Sequence, residues 1–119
     1  MEKIGAVAAL AALAQDNRLD VYRLLVQAGP NGMAAGEVAN VLGIAPNTLS
    51  FHFDRLRHAG LVSVARQGRS LIYVARYETM NNLLEFLTAN CCGGKPELCK
   101  PAGCAPSKPN RRRKKEVVR

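Results

Sequence analysis

Residues 46–61 read PNTLSFHFDRLRHAGL, and their apolar spacing is that of a helix with one buried face. At 100° per residue, one face of the predicted helix collects three apolar side chains, Leu49, Phe53 and Leu56. Pro46 suits the first helical position, and Gly60 ends the helix soon after His58. The opposite face is mostly polar. We therefore predict a helix that packs on a core by one face and leaves the other exposed.

A shorter helix of about residues 34–42 precedes this one, and Gly43 separates the two. A short helix, a turn containing glycine and a longer helix form a helix-turn-helix pattern. Two further helices are predicted upstream. The first spans residues 4–14 with an apolar stripe of Ile4, Val7, Leu10 or Ala11, and Ala14. The second starts near Asp16 or Asn17 and ends at Gly29, with an apolar set of Leu19, Tyr22, Leu25 and Val26.

Downstream, residues 61–66 and 70–76 have the composition of strands, and Gln67-Gly68-Arg69 between them predicts a hairpin turn. A last helix is predicted over about residues 78–91, with an apolar side of Met80, Leu83, Leu84 and Leu87. The expected fold is mainly α with a β-hairpin, a winged helix-turn-helix in the order α-α-α-α-β-β-α. We expect one domain over residues 1–92 and a basic, cysteine-containing, largely disordered tail over residues 93–119.

The formal net charge of +8 is distributed unevenly. Residues 1–90 carry eight basic and seven acidic side chains, whereas residues 91–119 carry nine and two. The overall charge is therefore no evidence that the folded part binds nucleic acid. No apolar run approaches the roughly 20 residues that span a bilayer, so no membrane partner is expected. We interpret the apolar start of the chain as a helix rather than a secretory leader, and expect a cytoplasmic protein.

The exposed face of the 46–58 helix has features suited to the major groove of DNA. Short polar side chains near its start allow close approach to base edges, and an exposed Phe51 can contact thymine methyl groups. The hairpin arginines can contact phosphates. The candidate DNA contacts are Asn47, Thr48, Ser50, Phe51, His52, Arg55, Arg66 and Arg69. A solvated outer face is the alternative for this helix, and simple solvation is the alternative for the hairpin arginines. His52 lies at the edge of the apolar stripe, where a hydrogen-bonded boundary histidine is equally expected.

The segments NTLSFHFDRLRHAGLV and RQGRSLIYVA resemble the recognition helix and wing of the ArsR/SmtB family of metal-responsive repressors. The resemblance extends over roughly residues 4–92. It implies a homodimer formed by the first and last helices, an operator with an inverted repeat, and repression that metal binding relieves. One departure is Ala45, at a position where such proteins often have serine. That change removes a side-chain cap worth about 1 kcal/mol.

All four cysteines fall within residues 91–104. Thiolates favour soft or borderline ions, so trivalent arsenic with three sulfurs and zinc with four ligands are both open. The adjacent pair Cys91-Cys92 fits poorly with the separated pairs of zinc sites. Two other sensing arrangements of the family are absent, because residues 32–37 hold no thiol and the last helix holds no histidine.

The vicinal pair and its Gly-Gly hinge resemble the C-terminal arsenite site of some family members. The resemblance implies metal ligation by Cys91, Cys92 and Cys99, with Cys104 as an alternative third ligand. The expected effector is arsenite or antimonite. Zinc or cadmium, a thiol redox switch and the absence of any ligand remain alternatives.

Two other classes of function are alternatives to a DNA-binding regulator. An enzyme is not expected, since the chain has no Gly-rich phosphate loop, no paired carboxylates in a plausible cleft and no nucleophile beside a base. The remaining alternative is a winged-helix protein-interaction module, whose partner would be a protein and not double-stranded operator DNA.

Overall fold

The computed structural model of the chain describes residues 1–94. In this part of the chain the elements are α1 (Lys3–Leu13), α2 (Asp16–Ala28), β1 (Met33–Ala34), α3 (Ala35–Leu42), α4 (Pro46–His58), β2 (Val62–Gln67), β3 (Ser70–Ala75) and α5 (Tyr77–Thr88), followed by a short 3-10 turn at Cys91–Gly94. The predicted order of four helices, a hairpin and a last helix is confirmed. The predicted winged helix-turn-helix fold is therefore correct.

The sheet contains one strand that the sequence analysis did not predict. Its strand order is β1-β3-β2, and both pairs are antiparallel. Strand β1 has only two residues, with Met33 paired to Tyr73. Gly32 precedes it with a φ of 72°, and a Cβ at this position would lie 2.5 Å from the carbonyl oxygen of Tyr73. Only glycine permits this close approach of the two backbones.

Helix α4 packs on the core as its periodicity predicted. Leu49, Phe53 and Leu56 are all buried. The Phe53 ring stacks on the ring of Tyr73 in β3, with centroids 3.6 Å apart and planes 5° from parallel. This contact joins the second helix of the helix-turn-helix to the central strand of the sheet.

The turn between α3 and α4 is built from backbone hydrogen bonds. Gly43 ends α3 in the left-handed region, with a φ of 67°, and its N–H donates to the carbonyl of Ala39 at 2.8 Å. Glycine adopts this conformation without the steric penalty of a Cβ. Helix α4 then begins at Pro46, and Ala45 provides no side-chain cap, as predicted.

The predicted apolar stripe of α1 is not the face that packs on the core of the chain. The helix packs through Ala6, Ala9 and Ala12, which are buried, while Ile4, Val7 and Leu10 are exposed. Because α1 is apolar on nearly every side, its periodicity does not distinguish the face that packs inside from the face that does not. The alanine face allows α1 to lie close to its neighbours, and it leaves a row of large apolar side chains on the outside.

The buried faces of α2 and α5 differ in part from their predicted apolar sets. Leu19 of α2 is exposed, and Val21, which is not in the predicted set, is buried. The cap of α2 is Gln15, whose side-chain oxygen accepts from the N–H of Arg18 at 2.9 Å. Of the predicted apolar side of α5, Leu83 is buried and Met80 is partly buried. The remaining two residues, Leu84 and Leu87, are exposed.

Helix α5 ends at Thr88, three residues before the predicted end. Asn90 has a φ of 60°, a left-handed conformation that a continuing α-helix does not allow. Cys91 and Cys92 therefore lie on the short 3-10 turn and not on α5, which corrects the predicted helical span of 78–91.

The chain divides into two units, Met1–Leu87 and a second that begins at Thr88. The predicted domain boundary after residue 92 stays a prediction, since nearly all of the predicted tail lies outside the described residues. No helix within residues 1–94 has the length and apolar character needed to cross a membrane.

Candidate nucleic-acid interface

The outward face of α4 carries most of the side chains predicted to contact DNA. Burial of Leu49, Phe53 and Leu56 fixes the rotation of the helix and so determines which residues point outward. The exposed candidates on this helix are Asn47, Thr48, Ser50, Phe51 and Arg55. The first three have short side chains and lie in the first turn and a half, where a helix can come closest to base edges.

Phe51 and Arg55 form one unit on this exposed face. The guanidinium carbon of Arg55 lies 5.1 Å from the centre of the Phe51 ring, within the range of a cation–π contact. Phe51 is 52% exposed, which is unusual for a phenylalanine on a helix surface. The pair presents a flat apolar surface beside a positive charge, and DNA offers thymine methyl groups beside phosphates.

His52 is the buried polar side chain of the described core, with an exposure of 5%. Nη1 of Arg18 lies 3.4 Å from Nδ1 of His52, and its N–H serves as the donor to that ring nitrogen. Burial lowers the pKa of His52 below its usual 6.5, and the nearby charge of Arg18 lowers it further. The structure thus favours the hydrogen-bonded boundary histidine over the DNA contact, and we remove His52 from the set of DNA-facing residues.

Arg18 is a functional candidate that the sequence analysis missed. Its Nε donates to the carbonyl of Ala12 at 2.6 Å, which satisfies an acceptor in the last turn of α1. Together with the contact to His52, this bond places one guanidinium between α1 and α4. The partners are 34 residues apart in the chain, so no local pattern in the sequence indicates the contact.

The last turn of α4 is basic, with Arg55, Arg57 and His58. Basic side chains at this position interact favourably with the negative end of the helix dipole. Arg57 pairs with Asp54 at 3.6 Å on the surface. Nδ1 of His58 lies 2.7 Å from the carbonyl oxygen of Asp54, so it serves as the donor to that oxygen and the ring is held against its own helix. Arg55 and His58 both line a cleft beside α1.

The hairpin places Arg66 near the end of β2 and Arg69 in the two-residue turn, and both are exposed. Gly68 in the same turn has a φ of 62°, as a tight hairpin turn requires. This geometry suits a wing whose tip contacts phosphates. The assignment of Arg66 and Arg69 to DNA contact stays a prediction.

The described part of the candidate thiol site consists of Cys91 and Cys92, which are both partly buried. Burial raises the pKa of the Cys92 thiol, and its hydrogen bond to Cys91 and the proximity of that group raise it further. Cys99 and Cys104 lie outside the described residues. Within residues 1–94, no group of three or more histidine, cysteine or acidic side chains is arranged to hold a metal ion.

Comparison with known proteins finds related sequences over this region. A family model described as a helix-turn-helix domain matches residues 13–65. The uncharacterized HTH-type transcriptional regulator YceK of Bacillus subtilis is 33% identical over 73 residues, which cover 61% of this chain and 72% of that protein. HlyU of Vibrio cholerae, described as a transcriptional activator, is 28% identical over 87 residues, which cover 73% of this chain and 78% of that protein.

Solved structures are similar over the same region. The structure of HlyU from Vibrio cholerae superposes with a TM-score of 0.59 and 32% identity, over 73% of this chain and 97% of that one. A homodimeric winged helix-turn-helix DNA-binding domain from Mycobacterium bovis, described as a possible ArsR-family regulator, has a TM-score of 0.59. It is 21% identical, over 76% of this chain and 84% of that one, and supports the fold alone.

The lowered pKa of His52 predicts how stability depends on pH. Because the folded chain binds a proton at His52 less readily than the unfolded chain does, the free energy of unfolding should be highest above the usual pKa of 6.5 and fall below it. Denaturant unfolding at about pH 7.5 and about pH 5.5 measures this fall. His52→Gln should reduce the difference, whereas the matched His58→Gln should retain it. An equal pH dependence in all three chains would contradict the prediction.

Proposed function

Because this chain belongs to the helix-turn-helix transcriptional regulators and has the winged-helix fold of their ArsR/SmtB-like members, we propose that it is a repressor that binds an operator as a homodimer. The members of this family are DNA-binding regulators and not enzymes. The observation that carries the proposal is the division of α4 into a buried apolar face and an exposed face with Asn47, Thr48 and Ser50 near its start. Such a regulator acts on chromosomal DNA, so we expect it in the cytoplasm.

In the proposed complex, α4 enters the major groove and the hairpin follows the neighbouring backbone. The short side chains of α4 and the Phe51–Arg55 pair read base edges and thymine methyl groups. The wing arginines add affinity that does not depend on sequence. Steep dependence on salt and a preference for one operator distinguish this function from that of a protein-interaction module, which would not bind duplex DNA.

The homodimer rests on apolar surface that one copy of the chain leaves exposed. In α1, Ile4 is 80% exposed and Val7 is 58% exposed, and Leu10 continues the same row. In α5, Leu84 and Leu87 are about half exposed. Rows of large apolar side chains on two helices of one small domain are typical of an interface, and a two-fold dimer would bury the same rows on both copies.

The proposed effector is arsenite, with antimonite as a closely related species and zinc, cadmium or thiol oxidation as alternatives. The adjacency of Cys91 and Cys92 supports this choice. Zinc takes four ligands in a tetrahedron, and its cysteine ligands usually come in pairs separated by two to four residues. Arsenous acid instead condenses with neutral thiols. Three As–O bonds are replaced by three As–S bonds, three water molecules leave, and no electron is transferred.

Two of the three sulfurs in the proposed site come from Cys91 and Cys92, and the third comes from Cys99 or, alternatively, Cys104. Cys99 is seven residues from Cys92. Closing such a loop costs about 1.7 kcal/mol by the logarithmic rule, which is small beside three metal–sulfur bonds. Loss of DNA affinity on arsenite binding then requires a coupling free energy of about 1–3 kcal/mol between the two sites.

The reading of the operator is tested by substitution in α4, after an operator has been selected from a library of random duplexes. Asn47→Ala, Thr48→Ala and Ser50→Ala should each reduce the preference for operator over random duplex. The loss should be roughly 1–3 kcal/mol for each residue that contacts a base edge. Fluorescence anisotropy measures both affinities. Arg69→Ala should weaken both duplexes alike, and Gln27→Ala on the exposed surface of α2 serves as the control. Unchanged operator affinity in all three α4 variants would show that a different element reads the DNA.

The homodimer is tested by sedimentation at micromolar concentration. The wild-type chain should have about twice its mass of 12.9 kDa. Val7→Asp should give a folded monomer, because it buries a charge in the proposed interface. Val41→Asp on α3 is the matched control, since Val41 and Val7 are both 58% exposed. A monomeric wild-type chain, or a dimer that survives Val7→Asp, would argue against this interface.

The thiol site is tested by titration of the reduced protein with arsenite, zinc and cadmium while operator binding is followed. Arsenite should lower the operator affinity of the wild-type chain by about 5- to 150-fold. Cys91→Ser, Cys92→Ser and Cys99→Ser should bind operator normally and ignore arsenite, whereas Cys104→Ser should respond. If Cys104→Ser ignores arsenite and Cys99→Ser responds to it, the third ligand is Cys104 and not Cys99. A full arsenite response in all four variants would contradict the proposed site.

A further inference from the structure

A cleft of about 490 Å³ lies between α1, the start of α2 and α4. Small alanine side chains of α1, including Ala8 and Ala11, form one wall. The other wall carries the nitrogen-bearing side chains Arg18, Arg55 and His58. No acidic side chain lines the cleft. Two guanidinium groups that line the same cleft form a site for an anion.

Contacts to both α1 and α4 hold the guanidinium of Arg18 in place. Its bonds to the carbonyl of Ala12 and to the ring of His52 use two of the five N–H donors that an arginine offers. Because α1 and α4 fix the side chain before any ligand arrives, little conformational entropy is lost when the remaining donors bind an anion. The alanine wall is small enough to let an anion reach them.

The cleft opens beside the surface that we assign to DNA. Phe51 and Arg55 line the cleft and also belong to the exposed face of α4. With α4 in the major groove, the anion nearest to the edge of that face is a phosphate of the DNA backbone. We propose that the cleft binds a backbone phosphate of duplex DNA through the guanidinium groups of Arg18 and Arg55. This inference rests on the proposed function, and it adds Arg18 to the DNA-binding residues.

A phosphate contact positions the protein but carries no base sequence, so its loss has a distinct signature. Each contact contributes about 0.9 to the slope of log affinity against log salt, and a dimer has two clefts. Arg18→Gln should therefore lower this slope by about two per dimer, and should weaken operator and random duplex by the same factor, on the order of tenfold. Arg57→Gln is the matched control, because Arg57 lies on α4, pairs with Asp54 and does not line the cleft. It should change the slope by much less.

A second variant guards against loss of folding, since Arg18 also binds the backbone of α1. Ala8→Glu brings a carboxylate into the cleft from the exposed side of α1 and leaves the three nitrogen-bearing residues intact. It should weaken both duplexes as Arg18→Gln does, whereas Gln27→Glu, an exposed position on α2 that does not line the cleft, should not. Circular dichroism and sedimentation on the full chain establish that each variant is folded and has the wild-type oligomeric state.

Operators with one neutral methylphosphonate at successive backbone positions identify the phosphate. At one symmetric pair of positions, the methylphosphonate should lower the operator affinity of the wild-type chain. The same modification should not further lower the already reduced affinity of Arg18→Gln. Inorganic phosphate at constant ionic strength tests the other source of the same anion. If it competes with DNA in the wild-type chain but not in Arg18→Gln, and no methylphosphonate position is coupled, the cleft takes a free anion and the DNA assignment is overturned.

Wild-type affinity and salt slope in folded Arg18→Gln and Ala8→Glu would also overturn the inference. The proposed function would survive that result if Asn47→Ala still lost its operator preference. Failure of the wild-type chain to bind any duplex would instead overturn the proposed function itself, and the inference with it.

Discussion

The stacking of Phe53 on Tyr73 holds α4 against the sheet and so determines which face of this helix is exposed. It attaches α4 to the central strand of the sheet, and the burial of Leu49 and Leu56 on the same face removes any freedom of rotation about the helix axis. A helix whose inner face is fixed in this way has a fixed outer face as well. The exposure of Asn47 and Thr48 is thus a consequence of core packing, which fixes the surface that we propose reads DNA.

Features with a local cause were predictable from the sequence. Three such features act through neighbours in the chain: the apolar spacing in residues 49–56, Pro46 at the helix start, and Gly68 between two apolar strands. The structure contains α4 and the hairpin at the positions that these features predict. Strand β1 was not predictable, because two residues have no periodicity and Gly32 is required only by the backbone of a distant strand. The contact of Arg18 with His52 was missed for the same reason. Polar pairs across a fold leave no pattern in the sequence.

Helix α1 shows a different limit of reasoning from periodicity. Large apolar side chains indicate a buried face, and the burial of Ile4 or Val7 would contribute roughly 1.5–3 kcal/mol each. The structure instead turns the alanine face inward, and Ile4 and Val7 remain exposed in the single chain. A second copy of the chain, as in the proposed homodimer, would bury these side chains. The sequence pattern thus identified an apolar face, and the structure shows that this face does not pack on the core of its own chain.

The position of the vicinal cysteines constrains how an effector could act. Asn90 and Cys92 are both in the left-handed region, a conformation that costs a residue with a Cβ about 1–3 kcal/mol. The thiols therefore follow the end of α5 on a strained turn, and not on a helix that extends rigidly beyond it. If the proposed effector binds Cys91 and Cys92 together, it acts on this turn, and the coupling to DNA that the proposal requires is of similar size, about 1–3 kcal/mol. Because such coupling is reciprocal, operator DNA would then weaken binding of the proposed effector by the same factor by which the effector weakens operator binding.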